Sequence, residues 1–157
     1  MDDAEADRRL GIELFNRAWT LISLPVRTAE QVDEMIQAAH ASRYHWSKVG
    51  TLANAARGEW QISRVYSTLG RGEPALWHAR RCLELAEQAV ATGVAEEWDV
   101  PAALEGLVRA QAVAGLTNDG RRTRERAREA IATIVDPEDR GQIQGDLDGI
   151  DLDGTAL

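Results

Sequence analysis

Between Tyr66 and Leu85 the chain is broken once, at Gly70-Arg71-Gly72-Glu73-Pro74, and both sides of the break are patterned for helix. Before it, Leu52, Ala55, Ala56, Ile62, Ser63 and Tyr66 share one helical face. After it, Leu76, Ala79, Leu83, Ala86 and Val90 do the same, with Cys82 and Ala89 widening the stripe. Two helices joined by so short a turn run antiparallel. Many of the contact positions are Ala, Ser or Cys, so the helices can approach closely. A hairpin of this size buries its apolar face only against neighbouring hairpins.

The rest of the chain repeats the theme. A first helix is predicted over residues 4–23, with Leu14, Phe15, Ala18, Trp19 and Ile22 at helical spacing and Pro25 beyond its end. Thr28-Ala29-Glu30-Gln31 has the pattern of a capping box opening a second helix, which Gly50 closes. A third is predicted over 51–69. Pro74 fits the first position of the fourth, and Gly93 its stop. Pro101 opens a fifth over 100–116 that is apolar on two faces, the mark of a sandwiched helix. Asn118 can cap a sixth, ending near Val135, and Asp136-Pro137 starts a short last one. No segment alternates with period two over a useful length, so no sheet is expected.

Composition narrows the function. With 157 residues, 44% of them hydrophobic, the chain is one domain with a real core. The formal net charge of −8 argues against a nucleic-acid binder and against docking on anionic membranes. The single Cys82 excludes an internal disulfide, which fits a reducing cytoplasm. The acidic residues 1–7 are unlike a secretory signal, and no apolar run approaches a membrane span. A cytoplasmic protein is expected.

Two hairpins, residues 56–91 and 101–135, carry a further pattern. In the first, Gly70 sits at the turn, Ala75 opens the second helix, and Ala79, Cys82 and Leu83 follow at small or apolar positions. In the second, Gly115 takes the turn, Gly120 stands where Ala is usual, and Ala127 repeats Cys82. This resembles the tetratricopeptide (TPR) family over roughly half of the chain. Glu59-Trp60 sets Trp slightly off the family position, and Arg124 replaces a small or apolar residue. The stretch Ala39-His40-Ala41-Ser42-Arg43-Tyr44-His45-Trp46 is similar to one in a group of short bacterial TPR-like proteins, which brings a fold and no chemistry.

The resemblance implies an all-α, TPR-like right-handed stack of three antiparallel helical hairpins plus a short C-terminal cap helix. Residues 1–145 would form the single domain, and 146–157 an acidic, Gly/Asp-rich mobile tail. The first helix of each pair would line a concave groove, placing Arg57, Trp60 and Arg64 beside Glu105 and Arg109. Arg grips a carboxylate through two hydrogen bonds and Trp offers a flat apolar contact, so this set could hold a peptide's acidic end. The lysine and asparagine set of the family's carboxylate clamp is absent. The function expected is a protein or peptide interaction module without catalysis or cofactor. The first helix, through Phe15, Trp19 and Ile22, could also pair two copies of the chain.

A rival reading starts from the histidines. His40, His45 and His78 fall near Trp46, Trp60 and Trp77, and Glu59 could add a carboxylate to a divalent transition-metal site. That would make the chain a metal- or small-molecule-binding protein, conceivably an enzyme, with a pocket walled by His45, Trp46, Glu59, Trp60 and His78. His40 and His45 are five apart and do not share a helix face. Arg43 and Glu59 each interrupt an apolar stripe on consecutive helices, and two buried opposite charges should meet as an ion pair. The Arg121, Arg122, Arg124, Arg126 and Arg128 run is interleaved with Glu125 and Glu129, which reads as a solvated face.

Overall fold

The computed structural model describes residues 2–154. Seven α-helices and no strand occur among the described residues: α1 (Asp3–Ile22), α2 (Ala29–Val49), α3 (Leu52–Thr68), α4 (Gly72–Ala91), α5 (Asp99–Val113), α6 (Thr117–Ala132) and α7 (Pro137–Asp148). Local signals set most of the ends. Thr28 and Gln31 exchange both bonds of a capping box at the start of α2. Thr51 and Asn54 do the same for α3. Gly70 and Gly115, at φ 69° and 75°, take the left-handed conformation that ends α3 and α5. At the first, Arg71 N–H reaches back to Tyr66 O and Gly70 N–H to Ser67 O; at the second, Leu116 and Gly115 do so to Gln111 and Ala112.

Several boundaries differ from the sequence reading. Pro74 is the third residue of α4, not the first, because Gly72 and Glu73 already have helical hydrogen bonding. Likewise Pro101 lies inside α5, which begins at Asp99. Asn118 does not cap α6: Leu116 occupies that position and supplies no side-chain bond.

Each helix packs on its neighbours in sequence. α1, α3, α5 and α7 also touch one another in succession, so the odd-numbered helices form one continuous layer. The core is built from small residues. Ala18, Ala53, Ala56, Ala75, Ala79, Ala86, Ala103, Ala110 and Ala127 are almost wholly buried, and that is what lets the helix axes come close. Polar side chains tie one helix to the backbone of another. Ser42 donates to Gly11 O at 2.7 Å, Gln61 to Phe15 O at 2.8 Å, and Ser63 to Ala75 O at 2.9 Å.

The boundary expected at residue 145 falls inside α7. Leu147, Ile150 and Leu152 are buried in the apolar cluster that also holds Leu104, Val108, Ala127 and Ile131. An acidic composition hid this, because every second or third residue of the segment is apolar and turns inward. Residues 155–157 of the expected tail lie outside the described residues.

Candidate functional site

A half-open cavity of about 470 Å³ lies in the layer of odd-numbered helices. Its size is that of a small-ligand or single-side-chain seat. α1 brings Phe15 and Trp19 to it, one helical turn apart. α3 brings Arg57 and Trp60, α5 brings Ala102 and Ala103, and Trp98 stands at the start of α5. α7 closes the side with Asp139, Gln142, Ile143 and Asp146. The walls are therefore aromatic and aliphatic, with charges at a few points. Trp19 and Trp60 meet with ring centroids 5.5 Å apart and planes tilted by 46°. Gly106 of α5 makes room for Trp60: a Cβ there would stand 2.9 Å from Trp60 Cδ1. A smaller hollow of about 160 Å³ shares Phe15 and Arg57 with it and reaches Ile12, Trp46 and Asn54.

The charges in the wall are mostly committed. Arg57 Nε and Nη2 donate to the two oxygens of Asp99, both at 2.9 Å. Asp99 is 4% exposed and also accepts from Glu96 N–H at 2.8 Å. The Arg57 guanidinium stacks over Trp98, 4.5 Å from its ring centroid. Behind Trp19, Glu105 is 2% exposed and accepts from Arg109 Nε at 3.0 Å and from Arg109 Nη2. Arg64 Nη1 lies 3.9 Å from Glu105 Oε1, buried and without a hydrogen bond. Burial, and then the like charge of Arg109, lowers the pKa of Arg64. The Arg64 guanidinium faces Trp19 at 5.9 Å.

The five residues expected to line a groove thus divide. Arg57 and Trp60 line the cavity. Arg64, Glu105 and Arg109 form a part-buried cluster, in which the arginines are turned to the buried carboxylate of Glu105. Of the three arginines named for a partner's acidic end, Arg57 and Arg109 are already bonded to Asp99 and Glu105, and Arg64, part-buried beside Trp19, makes no side-chain hydrogen bond among the described residues. Sequence reasoning assigned Phe15 and Trp19 to self-association and passed over Trp98, Asp99 and α7. Phe15 and Trp19 are turned to the cavity instead, and Ile22 packs on the core of Ala18, Leu21 and Met35. Trp98-Asp99, one residue short of Pro101, carried a readable signal: an aromatic and an acid at a helix start. α7 carried none, having no apolar stripe.

The histidine set also divides. Glu59, a buried residue, joins three helices: Arg43 Nε of α2 donates to its Oε1 at 3.2 Å, and His78 Nδ1 of α4 donates to its Oε2 at 2.6 Å. Burial alone would raise the Glu59 carboxyl, but His78 and Arg43 outweigh it and hold the pKa below the usual value. His40 stands beside this group, with ring centroids 5.4 Å from His78, and shares a 3.0 Å hydrogen bond with the Tyr66 hydroxyl. His45 is elsewhere, paired with Asp7 of α1 at 2.7 Å. Trp46 lies over Gly11, against α1. The pocket that was to be walled by His45, Trp46, Glu59, Trp60 and His78 does not form, because consecutive helix positions such as 59 and 60 point about 100° apart. Among the described residues, no three His, Cys, Asp or Glu side chains are grouped to hold a metal ion.

Cys82 is 3% exposed and reaches the cavity wall from α4. Burial, followed by the carboxylates of Glu59, Asp99 and Glu105, pushes its thiol far above the usual range. It stays protonated and serves as apolar surface. Four arginines of the α6 run face acids, Arg122 with Asp119, Arg128 with Glu125, Arg121 with Asp153 and Arg126 with Glu87, while Arg124 departs from the expected solvated face and is turned inward to Ile150 O. No helix of the described residues is long and apolar enough to cross a membrane. Comparison with protein-family models, with curated proteins and with solved structures finds no match.

Proposed function

We propose that the chain is a non-catalytic interaction module. In this reading the hairpins α1–α2, α3–α4 and α5–α6 form a TPR-like right-handed stack with α7 as its cap. The layer of α1, α3, α5 and α7 is the partner-binding face. One observation carries the reading: the cavity of about 470 Å³ walled by Phe15, Trp19, Trp60 and Trp98. Aromatic side chains hold much of the binding energy at protein interfaces, and a rigid, part-open aromatic seat suits one peptide side chain with a large apolar body. The adjoining hollow at Ile12 and Trp46 offers a second, smaller contact along the same face. No nucleophile–base pair lines the cavity, since its one thiol is held protonated. In this reading the cavity takes the apolar body of a side chain, where the sequence pointed to a carboxylate.

The test is peptide display on the purified chain, counter-screened against the Ala102→Phe variant. That substitution fills the cavity from α5 and leaves the surrounding packing in place. Recovered peptides should share one residue with a long or bulky apolar body and bind the variant at least about tenfold more weakly. Equal binding of the same peptides to both proteins would place the interaction elsewhere.

A further inference from the structure

We infer that the group entering this cavity is a cation on an apolar body, such as a Lys or Arg side chain set among apolar residues of a partner peptide. The inference rests on the cavity being the binding seat, and it adds the charge of the occupant.

The walls present four aromatic rings, Phe15, Trp19, Trp60 and Trp98. The faces of such rings carry negative potential and attract cations. The chain already uses them so: Arg57 lies over Trp98 at 4.5 Å and Arg64 over Trp19 at 5.9 Å. Aromatic walls alone would accept a neutral group equally well, so the acids decide. Arg57 and Asp99 cancel each other through two hydrogen bonds. That leaves Asp139 and Asp146, which line the cavity from α7 one pair of turns apart. Among the described residues, neither carboxylate accepts a hydrogen bond or forms an ion pair. Outside the α7 backbone ladder, Asp139 donates its N–H to Asp136 and Asp146 offers its backbone oxygen to Arg109.

The cations nearby do not reverse the balance. Arg64 and Arg109 face the single acid Glu105, an excess of one positive charge, and Arg64 is drawn toward Asp146. With the two aspartates of α7 counted in, the surroundings stay negative by one. The chain as a whole carries −8, which steers cations toward it and anions away. A long basic side chain meets all of these demands. Its aliphatic stem packs on the indoles while its head reaches the α7 carboxylates.

Three probes with one phenylpropyl body test this: 3-phenylpropylammonium, 3-phenylpropanol and 3-phenylpropanoate, titrated at pH 7 and low salt against tryptophan fluorescence. The ammonium should bind about tenfold more tightly than the alcohol, with the carboxylate weakest. In Asp139→Asn/Asp146→Asn the ammonium should fall to the affinity of the alcohol, whose own affinity stays unchanged. Asp139→Asn alone should give about half of that loss in logarithmic terms, and it serves if the double variant misfolds. An alcohol that binds as well as the ammonium, or a variant that keeps the preference, overturns the charge assignment and leaves the binding seat standing. Failure of all three probes to bind overturns both.

Discussion

Glu59 is the residue on which most of the interior depends. It sits on the α3 face that meets α2 and α4, and it accepts from both. Removing its charge leaves Arg43 and His78 part-buried without a carboxylate. Glu59→Gln should therefore destabilise the fold by roughly 2–3 kcal/mol, below the cost of a fully buried pair because Arg43 keeps some water contact. Urea unfolding measures this; a loss under about 0.5 kcal/mol would mean that the pair contributes little. The same cluster makes stability pH-dependent. Burial, then the neighbouring His78, lowers the His40 pKa below 6.5. The unfolded chain thus binds that proton more readily than the folded one, and stability falls as the pH drops through 6.5. Glu59, lowered below 4.5, adds a second loss under pH 4.5, where the unfolded carboxylate takes up its proton first. His40→Gln should remove the first loss and keep the second. Melting curves at pH 7.5, 5.5 and 4 check both, and an equal decline of variant and parent between pH 7.5 and 5.5 would contradict it. The two interrupting charges were legible in the sequence because a charge inside an apolar stripe needs a partner. The third member, His78, was grouped with Glu59 as a candidate metal ligand and not as its hydrogen-bond donor, because a histidine's hydrogen bond leaves no mark on periodicity.

At the scale of elements, the helices were legible wherever a chemical stop or start was present. Gly50, Gly70, Gly93 and Gly115 each ended a helix, and Thr28 began one. Proline misled by two residues at Gly72 and again at Asp99, since a proline is tolerated anywhere in the first turn. The C-terminal segment was the largest miss. Its aspartates and glycines resemble a solvated tail, yet Leu152 packs against Gly120 so closely that a Cβ there would stand 2.5 Å from Leu152 Cδ2. The glycine that departs from the usual Ala on α6 is the seat for the chain's own end. Leu152→Ala should then cost about 2–4 kcal/mol, as for any buried leucine truncated to alanine. Thermal unfolding of that variant decides the matter. A melting point within a degree of the parent would mean that the segment is not part of the core. Since α7 walls the cavity, the same variant should also weaken any ligand held there.

The molecule as a whole places its aromatic side chains unevenly. Trp19, Trp60 and Trp98 converge on one cavity from three helical segments far apart in sequence, Trp46 lies against α1, and Trp77 is 61% exposed. No local pattern could foretell that convergence, because it depends on how hairpins lean on one another and not on any one helix. The distribution supplies its own control. Uniform ¹⁵N labelling gives one indole N–H signal per tryptophan, and 3-phenylpropylammonium can be titrated against them. The signals of Trp19, Trp60 and Trp98 should move together with one dissociation constant, while that of Trp77 stays in place. A titration that moves Trp77 and leaves those three unmoved would contradict the assignment of the binding seat.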